Sequence, residues 1–294
     1  MPMLRRHVVL AAAAGMAGLA GCSFRPDQDH NGPDAPRAEP LRQPVRTAWV
    51  FSSGGPRGFV HVGVLKALEE LGLAPDLIVG ASAGALFGSL CAAGLRASEI
   101  ETLALELQPW RLLRLALGGD GYLSGSAIAG LVRERCPVQR LEAMPVPMAC
   151  VAARRAGRVA VAFTAGDVGL AVQASAAIEG QFAPVRILGQ QYVDADWINP
   201  LPVRVARALG AQRVLAVDAS AHITQTPQGA ERYHADDLRK QALVNADGAL
   251  ADLVLKPDFG YWAGMSLEFR ERTIEAGYRH ILSQASALRA LHAA

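Results

Sequence analysis

The sequence predicts a three-layer α/β fold, in which helices cover both faces of a mostly parallel central sheet. From about Val45 onward, short apolar runs of strand length alternate with helical segments, and this alternation is typical of parallel sheets. The chain has 294 residues, of which 51% are hydrophobic and 19% charged, so a sizeable core is available. A serine in the pattern G-x-S-x-G follows one predicted strand, at the sheet edge where ligands usually bind.

Two strand–turn–helix units open the predicted domain. The first has a strand at residues 47–51, a glycine-rich turn and a helix from about Phe59 to Leu71 whose apolar side chains repeat on one face. The second has a strand at residues 77–79 and a small-residue helix from about Ala83 to Ala93. Further strands are predicted at residues 146–152, 158–163, 191–193 and 213–218.

The N-terminus has the pattern of a bacterial lipoprotein signal. Two arginines precede an uncharged apolar run, residues 8–20, that is too short to span a bilayer comfortably. The sequence Leu-Ala-Gly-Cys ending at Cys22 resembles the lipobox, in which cleavage precedes a cysteine that then carries lipid. We therefore predict a signal peptide over residues 1–21 and a membrane anchor at Cys22. By resemblance to diderm lipoproteins, Ser23 after the cysteine is compatible with attachment to the outer membrane, facing the periplasm. An ordinary signal peptide is the alternative, and Sec and twin-arginine export both stay open.

Residues 22–44 are predicted to form a flexible tether. They are rich in Pro, Asp, Arg, Gln and Gly and lack apolar periodicity. A flexible chain of this length reaches roughly 25 Å. The domain predicted for residues 45–294 would therefore stay close to a bilayer.

Charge and cysteine content exclude several classes of partner. The chain has 29 basic and 27 acidic residues, a net charge of +2, which gives no electrostatic reason to expect nucleic acid. Its four cysteines show no CxxC spacing and no zinc pattern with histidine, so neither a metal nor another cofactor is predicted. Whether Cys136 and Cys150 pair depends on geometry that the sequence does not give. The oligomeric state is equally open.

Three motifs carry the candidate chemistry. The stretch Gly80-Ala81-Ser82-Ala83-Gly84 places a serine on a tight turn at the start of a helix, whose free amides favour an anion. The glycine-rich turn at residues 52–58 can point backbone amides at a ligand, and it lacks the spacing of the common phosphate-binding loops. The third motif covers residues 192–203 and contains Asp194 at the end of a short strand, where an aspartate on its own is most often a turn cap.

In this order the three motifs resemble the patatin-like phospholipase family. The stretch at residues 171–178 and the C-terminal segments at 255–260 and 274–277 are also similar to that family, so the resemblance covers roughly residues 46–285. It implies a patatin-like fold and a serine lipid-acyl hydrolase of the phospholipase A, lysophospholipase or esterase type. The implied substrate is a phospholipid or another acyl-ester lipid, and no metal is required.

The resemblance also implies a role for each matching residue. Ser82 is the expected nucleophile and Asp194 the base that takes its proton, without a histidine. The expected oxyanion hole consists of the glycine-rich turn and the amide at the start of the following helix, namely Gly54, Gly55, Arg57, Gly58 and Ala83.

Two places depart from the family pattern. Ser53 occupies the first position of the glycine run, and the family's Asp-Gly-Gly/Ala turn reads Asp194-Ala195-Asp196. If Ala195 needs a positive φ, it costs about 1 kcal/mol. Asp196 places a second carboxylate near the base, and like charges raise one pKa of such a pair. These departures keep open a non-catalytic lipid-binding or scaffold lipoprotein on the same fold, and an acyltransferase would use the same dyad.

A histidine-dependent triad is the remaining alternative. His222 and His234 follow Asp194, which is the residue order of an α/β-hydrolase. The His-Gly-Gly turn that usually accompanies that fold is absent from the sequence. We therefore predict the histidine-free dyad.

Overall fold

The computed structural model describes residues 28–108, 114–115 and 123–293. The predicted signal peptide, Cys22 and the first residues of the predicted tether lie outside these ranges. The strands are β1 (Asp29–His30), β2 (Thr47–Phe51), β3 (Leu77–Ala81), β4 (Arg114–Leu115), β5 (Leu123–Ser124), β6 (Met148–Arg154), β7 (Val159–Phe163), β8 (Val185–Ile187), β9 (Gln190–Asp194), β10 (Arg213–Val217) and β11 (Leu253–Leu255). The α-helices are α1 (Val60–Glu70), α2 (Ala83–Ala92), α3 (Ala97–Glu106), α4 (Ser126–Arg135), α5 (Val168–Ser175), α6 (Val203–Ala208), α7 (His234–Gly248), α8 (Leu267–Ser283) and α9 (Ala285–Ala293).

One mixed sheet organises the molecule, in the order β1-β8-β9-β6-β3-β2-β10-β11, and β7 also pairs with β6. The strands from β6 through β3, β2 and β10 to β11 are all parallel to one another. The strand β9 is antiparallel to both of its neighbours, β6 and β8. The prediction of a mostly parallel sheet is therefore confirmed.

Alternate residues of the central strands enter two separate cores, one on each face of the sheet. Trp49 and Phe51 of β2 belong to the larger core, which contains apolar residues of α1, α2, α3 and α8. Ala48 and Val50 of the same strand belong to the smaller core with residues of α6 and α7. Side chains alternate across a strand, so β2 is buried on both faces, and the three-layer prediction is confirmed.

Two helices of the larger core meet backbone to backbone. A Cβ atom added to Gly63 of α1 would lie 1.8 Å from the carbonyl oxygen of Ile274, and one added to Gly277 of α8 would lie 2.4 Å from that of Val60. Only glycine fits at such a crossing, since a side chain of any size would push the helices apart. This contact fixes α1, which carries the glycine-rich turn at its start. Within the described ranges, no helix combines the length and hydrophobicity of a bilayer-spanning segment.

The structure corrects the predicted tether, because much of it packs on the domain. β1 pairs with β8 in parallel, and the backbone of Arg37 forms a bridge with Ala165. Ala35 is buried, and the carbonyl of Glu39 accepts a hydrogen bond of 2.6 Å from the Thr164 hydroxyl. Backbone pairing to a sheet edge needs no apolar periodicity, so composition alone did not reveal this packing. A flexible tether therefore remains a prediction only for the residues before 28.

The two cysteines considered for a disulfide are free thiols. Cys136 and Cys150 are both buried and unpaired. Burial raises the pKa of the Cys136 thiol to about 11 and raises that of Cys150 further. Both therefore behave as small apolar core residues.

Candidate active site

Ser82 stands on a strained turn between β3 and α2, where the sequence predicted a serine elbow. Its backbone angles are φ 54° and ψ −118°, a conformation that non-glycine residues rarely adopt. The flanking glycines make the turn possible: a Cβ at Gly80 would lie 2.4 Å from the carbonyl oxygen of Gly84, and a Cβ at Gly84 would lie 2.3 Å from that of Phe51. The Ser82 side chain is therefore held at the carboxyl edge of the sheet, at the N-terminus of a helix.

Ser175 supports the elbow from α5, and the sequence did not single it out. The Ser82 amide donates a hydrogen bond of 2.9 Å to the Ser175 hydroxyl, which donates one of 2.6 Å to the carbonyl of Val151. Ser175 is fully buried. It therefore ties the strained peptide to the neighbouring strand. The signal was a hydroxyl residue at the end of a mostly apolar helix.

The pairing of β6 brings Asp194 to the elbow. β3 pairs with the first half of β6, where Ala81 lies opposite Val151, and β9 pairs with the second half, where Asp194 lies opposite Ala152. β7 occupies the other edge of β6 across both halves. Since a strand has two edges, β3 and β9 share one of them and meet head to head. Ser82, the next residue after Ala81, therefore lies beside Asp194.

The carboxyl group of Asp194 is poised to exchange a proton near neutral pH. It is 3% exposed, and burial, helped by the nearby Asp196 carboxylate, raises its pKa to about 7. Hydrogen bonds from the Ser82 hydroxyl and from the Asp196 amide, the latter of 2.9 Å, act in the opposite direction, as does the charge of Lys240. A buried acid with such a pKa beside a strained serine is typical of a functional site.

The unusual turn after Asp194 adopts ordinary backbone angles. Residues 195–197 form a 3₁₀ turn, and Ala195 is not among the described residues with positive φ. The predicted cost of replacing glycine there is wrong, because this turn does not need a left-handed residue. The expectation for Asp196 is met: its proximity raises the pKa of Asp194. Burial tends to raise the pKa of Asp196 as well, but the ammonium of Lys240 and hydrogen bonds from Lys240 and Ser53 outweigh it and lower that pKa.

The glycine-rich turn lies directly against the elbow. Gly55 has a φ of 52° and starts a 3₁₀ helix that runs to Phe59. A Cβ at Gly58 would lie 2.2 Å from the Cβ of Ala83, the first residue of α2. The first amides of a helix have no acceptor inside it, so Gly55 and Ala83 each offer a free N–H group at this junction.

Arg57 has a different place from the one expected. Its amide donates to the carbonyl of Gly54 over 3.0 Å, within the turn itself. Its guanidinium donates to the carbonyls of Gly260 and Tyr261 and lies over the ring of Phe259, with 5.8 Å to the ring centroid. Arg57 thus fastens the turn to the segment before α8, and its amide is not free for an oxyanion.

His61 is a buried support of the same turn rather than a base. Its Nε2 atom lies 2.9 Å from the carbonyl oxygen of Ser52. Burial lowers the pKa of the ring to about 4, so the neutral ring donates to this carbonyl. His222 contacts the carbonyl of Pro257 instead. Among the hydrogen bonds of the described residues, none joins a histidine ring to Ser82 or Asp194, which leaves the histidine-dependent triad without support.

The sequence matches a known family over the same region. A profile described as patatin-like phospholipase matches residues 49–207, more than half of the chain. An uncharacterised NTE family protein of Mycobacterium tuberculosis is 34% identical over 58% of this chain and 48% of its own length. The lysophospholipase nte1 of Emericella nidulans is 29% identical over 61% of this chain and 12% of its own length. The chain therefore spans about half of the mycobacterial relative and a small part of the fungal one.

Among solved structures, VipD from Legionella pneumophila is similar with a TM-score of 0.49 and 14% identity, over 93% of this chain and 73% of that one. The match at residues 49–207 includes the glycine-rich turn, the serine elbow and Asp194 in the order that the sequence predicted. The chain belongs to the patatin-like phospholipase family.

Proposed function

We propose that this protein is a serine lipid-acyl hydrolase of the phospholipase A or lysophospholipase type, with Ser82 as nucleophile and Asp194 as base. One observation carries the proposal: Ser82, on a strained elbow, lies beside the buried Asp194 carboxyl, whose pKa is raised by burial to about 7. A base with a pKa near the working pH is ionised often enough to act, yet it binds a proton well in the transition state.

The reaction proceeds through an acyl-enzyme. Asp194 takes the hydroxyl proton as the Oγ atom of Ser82 attacks the ester carbonyl carbon. The oxyanion of the tetrahedral intermediate is bound by the amides of Gly54, Gly55 and Ala83 and by the N-terminus of α2. Collapse breaks the ester C–O bond, and Asp194 returns the proton to the leaving alcohol or lysolipid. Water, deprotonated by Asp194, then attacks the acyl carbonyl carbon. The bond from this carbon to Oγ of Ser82 breaks, Asp194 gives the proton to Oγ, and the fatty acid is released.

Covalent labelling tests this assignment directly. A fluorophosphonate is expected to label the wild-type protein at Ser82, because the nucleophile attacks phosphorus as it would an ester carbon. Labelling should vanish in Ser82→Ala. It should persist, at a lower rate, in the control Ser175→Ala, which removes only the support of the elbow. If the folded wild type is not labelled, a non-catalytic lipid-binding protein on this fold becomes the better proposal.

Product analysis identifies the reaction catalysed by the labelled serine. Mixed phospholipids and lysophospholipids are incubated with wild type and with Ser82→Ala, and the lipids are profiled by mass spectrometry. Free fatty acid appearing only with the wild type supports hydrolysis. Acyl chains recovered on another lipid or alcohol would make the protein an acyltransferase. The name of the fungal relative makes lysophospholipids the first substrates to examine.

We further propose that the protein is exported and anchored to the outer membrane through Cys22. The support is the sequence pattern of the first 22 residues, with the cysteine placed directly after the apolar run. In a diderm host, radioactive palmitate should label the wild type, and the label should be lost in Cys22→Ala. The control Cys91→Ala removes a thiol of the folded domain and should label normally. A wild type that carries no label, or equal labelling of Cys22→Ala and Cys91→Ala, would contradict the proposal that Cys22 is the lipid anchor.

A further inference from the structure

The two departures from the family pattern contact each other. The hydroxyl of Ser53, in the glycine-rich turn, donates a hydrogen bond to the Oδ1 atom of Asp196, in the turn after the base. The ammonium of Lys240, from α7, lies 2.6 Å from the same oxygen. The two residues that depart from the family pattern are distant in the sequence, yet they form one polar contact. Lys240, from another element, completes it.

We propose that Ser53, Asp196 and Lys240 form a brace that positions the oxyanion turn against the Ser82–Asp194 pair and tunes the base. The proposal rests on the function proposed above for that site. None of the three is expected to touch the reacting atoms, so they are positioning residues.

Asp196 reaches both halves of the site at once. Its amide donates to the carboxylate of Asp194 over 2.9 Å, and its carboxylate accepts from the hydroxyl of Ser53. A parallel backbone link runs beside it, because the Ser53 amide donates to the carbonyl of Pro200 over 2.8 Å. The turn that supplies oxyanion donors and the turn that supplies the base are therefore held together by two independent bonds.

Lys240 balances the charge that the brace brings into the site. A second carboxylate beside Asp194 would be costly if left unpaired, because Asp194 is buried, Asp196 is partly buried and the two carry like charge. The side chain of Lys240 is only 16% exposed and approaches from α7. Arg239 of the same helix adds positive charge near Asp196 while it stacks on Trp197, 3.6 Å from the ring centroid. The pair of Asp196 and Lys240 is thus neutral overall.

The charged groups around the base fix the direction of each effect. Asp194 is faced by Asp196 from its own turn, by Lys240 from α7 and by the hydroxyl of Ser82 from the elbow. The neutral ring of His61, on α1, senses Asp218 and Lys240 but carries no charge near neutral pH. Removing the charge of Asp196 should therefore lower the pKa of Asp194, and removing that of Lys240 should raise it.

The pH dependence of kcat/KM tests the tuning. Against a water-soluble short-chain ester, the wild type is expected to show a rise in kcat/KM whose midpoint is the pKa of the base. Asp196→Asn should move this midpoint down by roughly one unit and Lys240→Met should move it up by a similar amount. The double variant should return close to the wild-type midpoint, and it avoids an unpaired buried charge if Lys240→Met alone folds poorly. The control Lys66→Met breaks another lysine–carboxylate pair, with Glu101, and should not move it.

A double-mutant cycle tests the positioning. Ser53→Gly and Asp196→Gly, which restore glycine at these positions, should each lower kcat/KM by about 10-fold, because the turn loses its contact. The double variant should lose no more than the worse single variant, since both remove one bond. Additive losses together with unshifted pH midpoints would overturn the brace while leaving the hydrolase intact. A wild type that neither hydrolyses esters nor reacts with a fluorophosphonate would instead overturn the proposed function, and the brace with it.

Discussion

Asp194→Asn is expected to lower kcat/KM for ester hydrolysis by about 10²- to 10⁴-fold, the range typical of the contribution of a general base. The amide keeps the shape of the carboxyl group but cannot take the proton of Ser82. The measurement is a steady-state assay with a soluble ester, alongside the fluorophosphonate labelling rate. A variant that retains more than a tenth of the wild-type kcat/KM would show that another group acts as base.

The activity of the wild type should follow the ionisation of the Asp194 carboxyl group. Burial raises the pKa of Asp194 to about 7, and the base works only when ionised. The kcat/KM of the wild type should therefore be low at pH 5 and rise through about pH 7 to a plateau. The small activity of Asp194→Asn should lack this rise, because its side chain does not titrate.

The free energy of unfolding provides a control. At pH 8 it should be higher in Asp194→Asn than in the wild type, whereas the activity should be lower. The pKa of Asp194 is about 7 in the folded protein, against an ordinary value of 3.8 for an aspartate. The folded state thus binds more protons between these two values, and the contribution of Asp194 to the free energy of unfolding falls as pH rises through that window. Asp194→Asn should therefore be more stable than wild type at pH 8, with little difference at pH 4. An inactive variant that is also less stable at pH 8 would indicate misfolding instead.

Gly58→Ala is expected to lower kcat/KM by about 100-fold, because a displacement of the order of 1 Å at a catalytic site has effects of that size. The added methyl carbon would lie 2.2 Å from the Cβ of Ala83. The oxyanion turn and the elbow must then move apart, and the oxyanion donors separate. We expect the loss mainly in kcat, because the donors act most strongly on the transition state.

A second substitution distinguishes this clash from a general effect of alanine. In Gly58→Ala combined with Ala83→Gly the conflicting Cβ is gone, and the next nearest atom, the Cα of residue 83, lies at 3.5 Å, an ordinary contact. The double variant should recover at least about tenfold of the lost kcat/KM. The control Gly130→Ala adds a methyl group with nothing within 4 Å and should leave activity unchanged. Equal activities of Gly58→Ala and Gly130→Ala would show that the two turns are not in tight contact.

The sequence predicted the local parts of the site well. The elbow at Ser82 and the glycine-rich turn are each encoded by a few adjacent residues, since small residues allow a backbone conformation that others cannot adopt. Strand and helix positions followed from apolar periodicity, which is likewise encoded by residues close together in the sequence. Asp194 was found through the resemblance to a family, because an aspartate before a turn is by itself ambiguous.

The parts that were missed depend on contacts between distant residues. The effect of the Asp196 charge on the base is predicted from the sequence, but nothing in its own neighbourhood reveals that Ser53 and Lys240 contact it. The segment around Arg37 was interpreted as a tether, since a bridge to Ala165 is made by backbone atoms that every residue has. The family resemblance assigns Arg57 to the oxyanion hole, and neither the bond from its amide to Gly54 nor the direction of its side chain can be read from the sequence.

Because β3 and β9 meet head to head on β6, the number of residues in each strand determines whether the nucleophile and the base lie side by side. Successive residues of a strand face opposite sides of the sheet, and Asp194 owes its position to the pairing opposite Ala152. A single residue inserted into β9 would turn the carboxyl group toward the other face, and no loop movement could compensate. Conversely, a fragment that ends before β9 keeps the elbow and the glycine-rich turn but has no base. The two halves of the chemistry come together only when distant parts of the chain have completed the same sheet.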